Sequence, residues 1–145
     1  MFYQTISSSC FYLLILAIPT TICVSSYAAL ASLNNSQFIY SPTQQLYAAG
    51  MRNNQFGVYQ AYAYGNVTST SIWTASQLST PADAYLSVQG DRNLAICTAS
   101  GSVLWSPNVY NNGTGLPFCL KILDSGNLIW VDNATTIIWQ SNSSG

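Results

Sequence analysis

Three tryptophans recur at nearly even spacing, and this repeat restricts the fold more than any other feature. They lie in "SIWTAS" around Trp73, "VLWSPN" around Trp105 and "IIWQSN" around Trp139, with gaps of 32 and 34 residues. A shift of 34 residues lays Tyr85–Asn93, "YLSVQGDRN", on Cys119–Asn127, "CLKILDSGN". Each Asn then falls 12 residues before its Trp. A period of this kind marks units that cannot bury an apolar face alone and must pack on one another. Helical periodicity is absent. Short alternating runs of Val, Ile, Tyr and Trp, broken by Gly, Asn and Ser, predict strands. The alternation gives each unit an inside: Leu86 and Val88 face one way, Tyr85, Ser87 and Gln89 the other, and Leu120 and Ile122 repeat the apolar positions. "DSGN" at 124–127 is turn chemistry, with Gly126 able to take a positive φ. The expected fold is all-β: three antiparallel subdomains around a pseudo-threefold axis, with Trp73, Trp105 and Trp139 meeting at the centre.

Charge narrows the function. Charged residues make up 5% of the chain: three basic, four acidic and no His. So few cations cannot neutralise a run of phosphates or hold an anionic membrane, which argues against nucleic acid as a partner. Without His, the usual zinc sites and Ser-His or Cys-His nucleophiles cannot be built, so no metal, no cofactor and no enzyme activity are expected. What remains is neutral hydrogen-bonding capacity, suited to an uncharged, hydroxyl-rich ligand.

The apolar run "FYLLILAI" at 11–18, then Pro19 and the small residues Ala28, Ala29 and Ala31, predict a secretory signal over 1–29 and a mature domain over 30–145. The opening "MFYQTISSSC" carries no Lys or Arg, so an uncleaved membrane anchor stands as the alternative. Sequons at Asn34, Asn66, Asn112, Asn133 and Asn142 fit a secreted glycoprotein. Cys10 and Cys23 fall in the leader, which leaves Cys97 and Cys119 as an even pair. A Cys97–Cys119 disulfide would close a loop of about 20 residues, worth roughly 3 kcal/mol; two free thiols are the other outcome.

"QGDRNLAIC", Gln89–Cys97, resembles the bulb-type mannose-binding lectin motif Q-x-D-x-N-x-V-x-Y, and "LDSGNLIWVDNATTIIWQS" resembles the same domain in plant receptor-like proteins. The resemblance runs from about Gln37 to Ser141 and implies the β-prism II fold. It also implies roles. The Asp and Asn grip the axial 2-hydroxyl of mannose, the Gln reaches the 3-hydroxyl, the Val packs on ring carbons and the Tyr holds the 4-hydroxyl. These roles fall on Gln89, Asp91, Asn93, Ala95 and Cys97, with Ala95 and Cys97 replacing the Val and Tyr. Gln89, Asp91 and Asn93 stand at i, i+2 and i+4 and can converge on one side of a hairpin.

Copy three has Leu123, Ser125 and Val131 where the motif has Gln, Asp and Tyr, and keeps Asn127. For copy one the expected equivalent is "QAYAYGNV", Gln60–Val67, which keeps only a Gln. The expected partners are mannose-containing glycans at one weak site, strengthened by presentation on a homodimer or a clustered surface. Asn93 and Asp91 also read as turn residues, Asp91 then pairing with Arg92. A lectin fold that binds protein instead is the alternative; Tyr59, Tyr62 and Tyr64, expected to be exposed, suit either a sugar or a protein surface. "LDSGN" also matches an aspartic-protease signature, but the repeat aligns Ser125, not Asp124, with Asp91.

Overall fold

The computed structural model describes residues 17–144. Cys10 and most of the apolar run, residues 11–16, belong to the expected leader and lie outside the described residues. Twelve strands and no helix occur among the described residues. They are β1 (Thr21–Val24), β2 (Leu30–Leu33), β3 (Phe38–Tyr40), β4 (Tyr47–Arg52), β5 (Gln55–Ala63), β6 (Asn66–Thr74), β7 (Tyr85–Gln89), β8 (Leu94–Cys97), β9 (Val103–Trp105), β10 (Phe118–Ile122), β11 (Leu128–Val131) and β12 (Ile137–Gln140).

They form three four-stranded antiparallel sheets, ordered β1-β10-β11-β12, β2-β7-β8-β9 and β3-β4-β5-β6. Each sheet contributes the same square of apolar side chains. In register these are Leu86 with Ile96 and Val88 with Leu94, then Leu120 with Trp130 and Ile122 with Leu128, then Ala49 with Val58 and Met51 with Phe56. All twelve are buried. The three repeat tryptophans meet as expected, with ring centroids 5.5–6.0 Å apart. Tilted and edge-on contacts of this kind suit aromatic quadrupoles. Phe56 joins them, 5.6 Å from Trp73 and 6.0 Å from Trp105, and breaks the threefold symmetry.

The registers correct the alignment of copy one. Its counterpart of the β7–β8 hairpin is β4–β5, so Arg52, Gln55, Gly57 and Tyr59 stand where the motif has Gln, Asn, Val and Tyr. Gln60–Val67 instead lies in the β5–β6 hairpin, which is longer than its counterparts and hides the repeat in sequence. Asn53 and Asn54 make the β4–β5 turn with φ of 49° and 63°, the geometry of a two-residue hairpin turn. Gly126 takes φ +88° as expected. Its counterpart Arg92 takes φ 77°, unusual for a residue with a Cβ. Two hydrogen bonds fix it: Arg92 Nε donates to the Val109 carbonyl at 2.7 Å, and Trp130 Nε1 donates to the Arg92 carbonyl at 2.7 Å.

The expected Cys97–Cys119 disulfide is not formed. Cys119 is bonded to Cys23, its register partner across β1 and β10, with Cα atoms 4.1 Å apart. Cys97 is a free, buried thiol on β8, and burial pushes its pKa up. The reason is topological: β8 and β10 belong to different sheets, whereas β1 places Cys23 opposite Cys119. The expected domain start at residue 30 falls after β1. A cut there removes the strand, Cys23 and the buried Val24. Further upstream, the Pro19 carbonyl accepts from Tyr40 N–H at 2.8 Å.

Candidate functional site

Pleating sorts the β7–β8 hairpin into two faces. Leu86, Val88, Leu94 and Ile96 enter the core; Ser87, Gln89, Ala95 and Cys97 share the opposite face. Ser87, Ala95 and Cys97 are buried and make a floor of small side chains. Gln89 folds over it, Nε2 donating to Ser87 Oγ at 3.2 Å. The turn brings the expected polar residues together at one end. Asp91 Oδ1 accepts from Asn93 N–H at 3.0 Å, an Asx turn. Asn93 Oδ1 accepts from Ser106 Oγ at 3.1 Å and Val109 N–H at 3.2 Å. Arg92 does not pair with Asp91 among the described residues, since its guanidinium is held at Val109.

A cleft of about 300 Å³ opens beside the hairpin, lined by Tyr27, Ala28, Leu30, Gln89, Gly90 and Asp91. Asn93, Ala95 and Cys97 do not line it. Gly90 is required there: a Cβ would lie 1.9 Å from the Ser26 carbonyl oxygen, and Gly90 N–H donates to the Ala29 carbonyl at 2.9 Å. The β1–β2 loop is therefore pressed onto the hairpin and supplies Tyr27, and the first residue of β2 supplies Leu30, both exposed. The sequence singled out neither: Tyr27 falls within the expected leader and Leu30 at the first position of the expected mature domain. Gly90, inside the motif, was the one local sign that another backbone comes close.

The other hairpins show what the motif Asn does when the rest of the motif is gone. In copy three, Asn127 Nδ2 donates to Gln140 Oε1 at 2.8 Å, and its Oδ1 accepts from Ser141 Oγ at 3.2 Å and Ser143 N–H at 3.3 Å. In copy one, Gln55 Nε2 donates to the Ala75 carbonyl at 2.8 Å and to Gln77 Oε1 at 3.0 Å. In all three copies an amide clamps the segment that follows the tryptophan and satisfies its backbone groups. Tyr59, at the motif Tyr position of copy one, is buried rather than exposed. Its hydroxyl donates to the Gln55 carbonyl at 2.9 Å. Burial raises its pKa, with Arg52 nearby acting the other way. Tyr62 and Tyr64 are exposed as expected.

No protein-family profile and no curated protein matches the chain. Solved structures do. A Japanese Marasmius oreades lectin superposes with TM-score 0.64 at 13% identity, over 87% of this chain and 92% of that one. A monomeric monocot mannose-binding lectin from Gastrodia elata gives 0.63 at 17% identity, over 86% and 96%. The chain has the bulb-type lectin fold. The snowdrop (Galanthus nivalis) mannose-specific agglutinin, complexed with methyl-α-D-mannoside, aligns at TM-score 0.54 and 15% identity over 87% and 98%. Within this bulb-lectin fold the three sheets are the three subdomains of the prism.

Asp124, the residue of the protease-like "LDSGN", has a structural partner in this fold. Thr43 donates to it twice, through its backbone N–H at 3.0 Å and through its hydroxyl, and so ties the β3–β4 loop to the β10–β11 turn. The hydroxyl and then the N–H of Thr43 hold the Asp124 carboxyl below its usual pKa. Among the described residues no group of three metal-ligating side chains occurs. All five sequon asparagines are exposed.

Proposed function

We propose that the protein is a secreted, non-catalytic glycan-binding module with one site, on the β7–β8 hairpin, for mannose or mannose-rich glycans. The difference between Asn93 and Asn127 carries this reading. Both use Oδ1 to clamp the following segment, but Asn127 also commits its Nδ2, to Gln140. Asn93 Nδ2 is bonded to no protein acceptor among the described residues, and its neighbour Asp91 uses one carboxylate oxygen in the turn. A sugar hydroxyl both donates and accepts, so it matches a free amide N–H beside a carboxylate oxygen. Gln89 Oε1 supplies a further acceptor. The names of the Gastrodia and snowdrop proteins, which share the fold, support mannose as the ligand.

The site is weak, because Cys97 offers no hydroxyl where the motif has Tyr, and Ala95 offers less apolar contact than the motif Val. One missing hydrogen bond costs about 1 kcal/mol. Useful strength then comes from several copies, on a homodimer or a clustered surface. The Cys23–Cys119 bond supports an oxidising, extracellular setting, with the leader ending before β1 so that the strand stays in the mature chain. The test is capture on dense mannan. Asp91→Ala should abolish it and Ser125→Ala should leave it unchanged. Folded parent protein that ignores mannan, or Asp91→Ala that binds as well as the parent, would overturn the proposal and leave the trio as turn and clamp residues.

A further inference from the structure

The sequon at Asn112 stands beside the hairpin cleft. It lies in the loop between β9 and β10, and that loop is fastened to residues that line the cleft. Asn111 N–H donates to the Asp91 carbonyl at 2.7 Å. Gly113 packs on the same lining: a Cβ built on it would lie 3.0 Å from Tyr27 Cδ2 and 3.5 Å from the Gly90 carbonyl oxygen. Asn112, between these two anchors, is exposed. Its Oδ1 accepts from Thr114 Oγ1 at 2.9 Å, and its Nδ2, the atom that a glycan joins, bonds to no protein group among the described residues. The loop is also braced from within. Asn111 Oδ1 accepts from Gly113 N–H at 2.8 Å, and Asn111 Nδ2 donates to the Thr114 carbonyl at 3.0 Å. The root of a glycan on Asn112 is therefore fixed at the rim of the cleft.

The other four sequons are placed differently. Asn34 follows β2, Asn66 opens β6, Asn133 lies between β11 and β12, and Asn142 follows β12. In no case is an adjoining residue hydrogen-bonded to the cleft lining among the described residues. An N-glycan carries mannose arms beyond its N-acetylglucosamine stem, and mannose is the ligand proposed for the hairpin. A short tether rooted beside a site gives an effective concentration of about millimolar order. A site whose Kd is also about millimolar is then half filled or more by its own arm, and its apparent affinity for outside glycans falls by the same fraction.

We infer that a glycan on Asn112 folds back, places a mannose arm against Gln89, Asp91 and Asn93, and holds the protein in a self-masked state. The inference rests on the mannose reading of the hairpin and adds its regulation: trimming the protein's own glycan opens the site to outside glycans.

The test is capture on dense mannan by the full chain secreted from eukaryotic cells, beside unglycosylated chain made in the bacterial periplasm, with glycopeptide mass spectrometry reading the occupancy of Asn112. The glycosylated parent should bind about twofold or more weakly than Asn112→Gln. Thr114→Ala removes the sequon but keeps Asn112; it should match Asn112→Gln and serves if that variant folds poorly. Treating the parent with α-mannosidase, which removes the arms and leaves the stem, should raise capture to the same level and needs no variant. Asn66→Gln, a sequon on another sheet, should change nothing. An unglycosylated Asn112, equal capture by parent and Asn112→Gln, or a parent still masked after α-mannosidase would overturn the inference, and capture of the unglycosylated chain would then leave the mannose reading standing. No capture of the unglycosylated chain would overturn both.

Discussion

Removing the Cys23–Cys119 bond should cost about 4–5 kcal/mol. The bond joins residues separated by 96 positions. In the chain-entropy relation a loop near that length restrains the unfolded state by about 4.7 kcal/mol at 25 °C. A domain of this kind has a net stability of about 5–15 kcal/mol, so the loss is roughly 30% of it or more. The melting temperature should fall by roughly 10–20 °C. The variant is the double change Cys23→Ala with Cys119→Ala, which leaves no stray thiol, followed by equilibrium unfolding in urea. Cys97→Ala is the comparison. It removes one buried sulfur and should cost only about 1 kcal/mol. If Cys97 and Cys119 were the true pair, Cys97→Ala would instead cost roughly 3 kcal/mol. A chain starting at Leu30 should be less stable than the double variant, because it also loses the β1 pairing and buried Val24. The reasoning is refuted if Cys97→Ala shows the larger loss, or if non-reducing peptide mapping links Cys97 to Cys119.

Three further outcomes can be measured. Asn127→Ala, which removes three side-chain hydrogen bonds, should lower stability by about 1–3 kcal/mol, read as a shift in the urea midpoint. Gly126→Ala puts a Cβ at φ +88°, 2.9 Å from Ile72 Cδ1, and should cost at least about 1 kcal/mol in the same assay. Asp124 has a folded pKa below its ordinary 3.8. Its contribution is fully present above that ordinary value and is lost as pH falls through the lower folded pKa. Asp124→Asn should therefore flatten the acid limb of a stability–pH curve below about pH 4 and leave the slope at neutral pH unchanged.

Much of the site was legible in "QGDRN". The i, i+2, i+4 spacing, with its turn, does bring Gln89, Asp91 and Asn93 to one hairpin end. Legibility failed where a role depends on a partner remote in sequence. Asn93 and Asn127 look alike along the chain, yet only Gln140, 13 residues on, takes the second half of the Asn127 amide. Tyr59 looked exposed because it alternates with small residues, and Phe38 from β3 packs beside it. Copy one was misaligned because its β5–β6 hairpin is longer than the others.

The sequence by itself determined the three units, their strand character, the core-facing Leu86, Val88, Leu120 and Ile122, and the meeting of Trp73, Trp105 and Trp139. Those features follow from period-two alternation and turn residues, which act between near neighbours and recur with the repeat. Only the tertiary structure decided that β1 and β2 leave the N-terminal segment to complete two different sheets. With that came the pairing of Cys23 with Cys119 and the packing of Tyr27 and Leu30 beside Gly90. Each of these is a contact between segments far apart in the chain, and no local pattern encodes which distant edge a short strand will join.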